Sequence, residues 1–155
     1  MEPLNLPTYS FSIKEENGKK YIFDEIRRRF VSLTPEEWVR QHIARFLSED
    51  RHFPKQLVSI EKGFTRNRLS RRYDLLVYSR SGKPLMIVEC KAPVVDISQK
   101  VFDQAIRYNE VYKAPYLLVT NGRKHFCCQL DLSSRKFEFL NDIPLYESLA
   151  GNSAF

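Results

Sequence analysis

Apolar positions along this chain follow two rhythms. Short runs with period two or unbroken hydrophobicity predict strands at Lys20-Tyr21-Ile22-Phe23, Phe30-Val31-Ser32-Leu33, Leu57 to Glu61, Leu75 to Tyr78, Leu85 to Lys91, Tyr116 to Thr120, His125 to Leu130 and Lys136 to Leu140. Helical spacing recurs twice, first in Val39, Ile43, Phe46 and Leu47. The second set is Val101, Gln104, Ala105, Tyr108, Val111 and Tyr112, within Ser98 to Lys113. Thr34-Pro35-Glu36-Glu37 marks the start of the first helix: Thr34 as N-cap, Pro35 at the first helical position and Glu37 completing a capping box. At about 100° per residue, Glu36 projects close to the apolar stripe and Glu37 to the far side. This makes Glu36 the inward acid and Glu37 the capping one.

The order strand, strand, helix, strand, hairpin, helix and three strands predicts an α/β sandwich with a mixed sheet. With 155 residues and no repeat or linker composition, one domain is expected. Residues 1–18 read as an arm or first short strand, 20–140 as the core, and 141–155 as a C-terminal tail. An arginine-rich loop, 65–72, leads into the central hairpin. Asn121-Gly122 turns the chain between two later strands, with Arg123-Lys124 lengthening the loop.

Composition narrows the classes. Hydrophobic residues make up 43% and charged residues 28%, and no run approaches the roughly 20 apolar residues of a membrane span. The first residues lack an export-signal pattern, so a cytoplasmic protein without membrane contact is expected. Three cysteines, Cys90, Cys127 and Cys128, provide no disulfide framework. The histidines His42, His52 and His125 stand at no recurrent zinc spacing to them. Net charge is +6, concentrated in Arg27-Arg28-Arg29 and in Arg66, Arg68, Arg71 and Arg72. Clustered arginine suits a polyanion, although a solvated charged face has the same composition.

The chemistry concentrates in the hairpin. Folding about Ser81-Gly82 sets Asp74 directly opposite Glu89, and period two puts Lys91 on the same face. Two opposed carboxylates destabilise a sheet unless a cation lies between them. A divalent metal removes that conflict.

Glu36, Asp74 and Glu89-x-Lys91, in this order, resemble the PD-(D/E)xK nuclease superfamily. Arg72-Tyr73-Asp74-Leu75-Leu76-Val77-Tyr78 and Val88-Glu89-Cys90-Lys91-Ala92-Pro93 resemble the N-terminal nuclease domain of type I restriction enzyme R subunits. Phe102 to Asn109, including Gln104-x-x-x-Tyr108, and Ala114 to Gly122 extend the likeness. The superfamily's proline is Tyr73 here. The resemblance implies a restriction-endonuclease-like fold, a central mixed β-sheet flanked by helices, and Mg²⁺-dependent hydrolysis of DNA, with Mn²⁺ as a substitute. It implies metal ligation by Asp74, Glu89, the Cys90 backbone carbonyl and Glu36, with Lys91 stabilising the transition state. Gln104 and Tyr108 would position Lys91 or a phosphate, and the arginines of 65–72 would contact nucleic acid. R subunits also carry motor motifs. No Walker-type Gly-x-x-x-x-Gly-Lys-Ser/Thr occurs here, so translocation is expected from separate motor and specificity subunits. A homodimer is a further expectation, since cutting two strands usually takes two sites.

Competing readings attach to each residue. Asp74 with Lys91 also suits a structural salt bridge, Glu36 a helix N-terminus, and Gln104 with Tyr108 the edge of a core stripe. A non-cleaving nucleic-acid-binding or interaction subunit of a restriction or repair assembly is therefore the alternative function.

Overall fold

The computed structural model describes the backbone of residues 1–60, 63–66 and 69–152, and the side chains of 1–60 and 73–149. Three antiparallel strands come first: β1 (Ile13–Glu16), β2 (Lys19–Asp24) and β3 (Arg29–Ser32). The β1–β2 turn is Asn17-Gly18, both with positive φ, as a two-residue hairpin requires. Helix α1 (Pro35–Asp50) follows, then a single 3-10 turn at Lys55–Leu57 and strand β4 (Val58–Ile60). Strands β5 (Gly63–Arg66) and β6 (Leu69–Arg72) pair with each other as a two-stranded sheet. The remainder is β7 (Leu75–Tyr78), β8 (Pro84–Cys90), α2 (Gln99–Tyr112), β9 (Tyr116–Thr120), β10 (His125–Asp131), β11 (Lys136–Phe139) and α3 (Tyr146–Asn152).

The central sheet has the order β11-β10-β9-β8-β7-β4. Among the described residues only β8 and β9 are parallel, because α2 carries the chain back across the sheet between them. The β7–β8 register pairs Leu75 with Val88 and Leu76 with Ile87, which extends to Asp74 opposite Glu89, while beside the turn Tyr78 pairs with Pro84 across a register shift at Val77/Tyr78. Alternation then divides the core. Leu75, Val77, Met86 and Val88 pack with Val39, Ile43 and Leu47 of α1. Leu76, Ile87, Leu117 and Val119 pack with Phe102 and Ala105 of α2. Burying each such side chain contributes about 1.5–3 kcal/mol, and coverage on both faces explains the unbroken apolar runs.

Three expectations change. Residues 65–66 and 69–72 are not loop but belong to the paired strands β5 and β6; Glu61 and Arg68 lie outside the described residues. Ile143, Tyr146 and Leu149 are buried in the α1-side core, so a packed segment continues past residue 140. The buried face of α2 is Phe102, Ala105 and Asn109, whereas Val111 is exposed. Cys127 and Cys128 are both buried, one on each covered face.

Candidate active site

Asp74 stands immediately before β7, and Glu89 lies near the end of β8. Both are buried. The Asp74 carboxylate is held from two sides. Oδ2 accepts the Cys90 N–H at 2.7 Å, and Oδ1 accepts Nε and Nη2 of Arg40, which reaches across from α1. Glu89 is less well satisfied: Oε1 lies 3.7 Å from Lys91 Nζ, while Oε2 is buried without a hydrogen-bond partner. Burial, and then the Asp74 charge, push the Glu89 carboxyl up to about 8, with Lys91 opposing them only in part. An anion in that position calls for a cation.

Lys91 remains partly open to solvent, and its backbone N–H is fixed by the Thr120 carbonyl of β9. The Cys90 thiol is fully buried, and burial raises its pKa well above the ordinary value, so its side chain is inert packing. Gln104 and Tyr108 bond each other across one turn of α2, Nε2 donating to Oη at 2.8 Å.

The two acids of the α1 N-terminus exchange the roles expected of them. Thr34 does cap the helix, accepting the Glu37 N–H at 3.0 Å. The Glu37 side chain, however, is buried and takes bonds from Arg27, Arg40 and Gln41. Glu36 is the half-exposed one, on the rim of the site, with Oε1 3.3 Å from Arg40 Nη2. The reason is that the back of α1 is not solvent-facing. Arg27, from the turn after β2, bonds Glu37, and Phe11 packs against Trp38 and His42.

Asp24, Arg27, Glu37 and Gln41 thus form a polar layer that sequence reasoning missed, with Arg40 joining it to Asp74. Asp24 Oδ1 accepts the Ile26 and Arg27 N–H groups, and Oδ2 accepts Arg27 Nε and Gln41 Nε2. Burial alone would raise the Asp24 pKa, but these bonds outweigh it and hold the carboxyl below its usual range. The available signal was spacing: Arg40 lies four residues after Glu36 and three after Glu37, and Gln41 four after Glu37. Of the arginines assigned to nucleic acid, Arg66 lies on β5 and Arg71 and Arg72 on β6, with their side chains outside the described residues; Arg68 is outside altogether. Among the described residues, no three His, Cys, Asp or Glu side chains stand together in a metal-holding arrangement. Two carboxylates, one with an unbonded buried oxygen, still fit a hard divalent ion such as Mg²⁺, which takes one or two carboxylates and keeps several waters.

This fold and strand order define a restriction-endonuclease-like α/β sandwich, shared with a solved fragment described as that of an HsdR subunit of a type I restriction enzyme from Vibrio vulnificus. That structure superposes with a TM-score of 0.56 at 20% identity, over 76% of this chain and 24% of its own. Residues 35–144 match the family model for the type I restriction enzyme R protein N terminus, and the chain belongs to that family. The matched interval begins at the first residue of α1 and includes Glu36, Asp74, Glu89 and Lys91. The chain spans about a quarter of the HsdR fragment it resembles. Comparison with curated protein sequences finds no match. No helix among the described residues is long and apolar enough to cross a membrane.

Proposed function

We propose that this domain hydrolyses phosphodiester bonds in DNA, using Mg²⁺, or Mn²⁺ in its place, held by Asp74, Glu89, the Cys90 carbonyl and Glu36. The observation that carries this reading is the buried Glu89 Oε2 beside Asp74, an acceptor left without a donor where a second negative charge is disfavoured unless a cation binds. A divalent ion there would supply Lewis acidity at the scissile phosphate and acidify a water. Lys91, partly exposed and anchored through its backbone, would bring an ammonium to the charge that develops on the phosphate. Glu36 on the rim is open enough to orient a water or accept a proton. Gln104 and Tyr108, bonded to each other, would fix a phosphate or the Lys91 side chain. Arg66, Arg68, Arg71 and Arg72 would contact the DNA backbone. Translocation and sequence recognition would come from parts of a restriction assembly outside residues 1–155, with two copies of the domain meeting on duplex DNA.

One observation favours the non-cleaving alternative. Both Asp74 oxygens are already bonded, to Arg40 and to Cys90, which is the pattern of a structural carboxylate. Supercoiled plasmid incubated with purified protein and Mg²⁺ or Mn²⁺ decides between them. Nicking that disappears in Asp74→Ala and Lys91→Ala supports the nuclease. DNA binding that persists in both variants, with no cleavage by the wild type, supports the binding module.

A further inference from the structure

Every nitrogen of the Arg40 guanidinium is committed. Nε and Nη2 bind Asp74 Oδ1, Nη2 also reaches Glu36 Oε1, and Nη1 binds Glu37 Oε1. The side chain is 8% exposed, so it cannot relax into solvent if one partner is lost. Its rear anchor is itself fixed: Glu37 Oε1 also accepts Arg27 Nη2 at 3.0 Å, and Oε2 accepts Gln41 Nε2 at 2.9 Å. Arg27 and Gln41 in turn both bind Asp24 Oδ2, at 2.6 and 3.0 Å. Acids and bases therefore alternate in one series, Asp24, Arg27, Glu37, Arg40, Asp74, buried except for the partly buried Arg27, running from the β2–β3 hairpin to the candidate site. A planar fork can bridge two carboxylates in this way, whereas an ammonium cannot hold both in a fixed plane.

We propose that Arg40 is the positioning residue of this site: held from behind by Glu37, it sets the orientation in which Asp74 presents its carboxylate to a divalent cation. The inference rests on the metal-dependent reading above. Arg40 and the Cys90 N–H together fix the carboxylate plane, which leaves Glu89 as the unsatisfied neighbour that completes the ion's protein ligands. Glu37 acts only through Arg40. Partners of this kind typically contribute about 10- to 100-fold to metal affinity.

Calorimetric titration of the full 155-residue chain with Mn²⁺ alone tests the proposal without any cleavage assay. Arg40→Met is expected to bind about 10- to 100-fold more weakly than wild type, with Arg40→Lys recovering part of the loss. Glu37→Gln should fall between wild type and Arg40→Met. The Arg40→Met/Glu37→Gln double variant should bind no more weakly than Arg40→Met, since the two changes act in series. Should Arg40→Met fail to fold, Arg40→Lys and Glu37→Gln carry the same comparison, with circular dichroism confirming their structure. Wild-type affinity in the Arg40 variants, alongside lost binding in Asp74→Ala, overturns the positioning role alone. Tighter binding in Arg40→Met overturns it too, by making Arg40 a competitor of the ion. A wild-type protein that binds no Mn²⁺ overturns the metal-dependent reading and this inference together.

Discussion

The Asp74 carboxylate accepts the backbone N–H of Cys90 at 2.7 Å, so the acid preceding β7 is stapled to the end of β8. With Arg40 on its other oxygen, Asp74 bears structure as well as chemistry. Asp74→Ala leaves a buried guanidinium short of one carboxylate and is expected to cost about 3 kcal/mol. Urea unfolding measures this; a loss near zero contradicts the buried ion pair. Asp74→Ala should also abolish divalent-ion-dependent nicking.

Lys91→Ala separates chemistry from folding. Its side chain is partly exposed and its nearest acid is 3.7 Å away, so its removal should leave the melting temperature within a few degrees of wild type. The cleavage rate should fall by about 10²- to 10³-fold, the usual cost of deleting one transition-state donor. Full activity in Lys91→Ala would assign the cleavage to a different site or a contaminant.

Glu89 makes the metal-free protein pH-sensitive. Its folded pKa, about 8, exceeds that of an ordinary glutamate, so the folded state holds the proton more tightly. Stability from this group is complete below the ordinary glutamate range and declines as pH rises toward about 8, where the buried carboxylate ionises. Thermal melts in chelator should show that decline in wild type and not in Glu89→Gln, which should be the more stable of the two at pH 8. Parallel curves for the two proteins would contradict it.

Asp24 has the opposite sign. Its carboxyl is held below the usual range, so its contribution is present at neutral pH and lost only as acid titrates it in the folded protein. Asp24→Asn removes acceptors from Arg27 and Gln41 and is expected to destabilise by about 1–3 kcal/mol at pH 7. That difference should shrink in acid, and equilibrium unfolding at pH 7 and pH 3 reads it.

The hairpin register was readable from the chain because an even side-chain period and a short polar turn are local facts. Asp74 opposite Glu89, with Lys91 near Glu89, follows from them. The roles of Glu36 and Glu37 were not readable in this way. A helical wheel separates an apolar stripe from a polar back, but it cannot know that the segment containing Arg27 and Phe11 will cover that back. Once covered, polar residues such as Glu37, Arg40 and Gln41 must satisfy one another. Asn109 shows the same limit on α2: it is buried because its side chain bonds both the N–H and the carbonyl of Ala114, closing the helix end. The Tyr146 hydroxyl, which donates to the Tyr78 carbonyl, ties the segment read as a tail to the hairpin strand.

The parallel pairing of β8 with β9 bears on the order of events during folding. Strands β7 and β8 are neighbours in sequence and can zip together as soon as both exist. The Lys91 N–H, however, finds its partner only at Thr120, beyond the whole of α2. Closing so long a loop is slow compared with forming a hairpin. A nascent chain therefore carries both acids well before the Lys91 backbone is anchored, and pulse-labelled refolding should show the Lys91 amide protected later than the amides that β7 and β8 share.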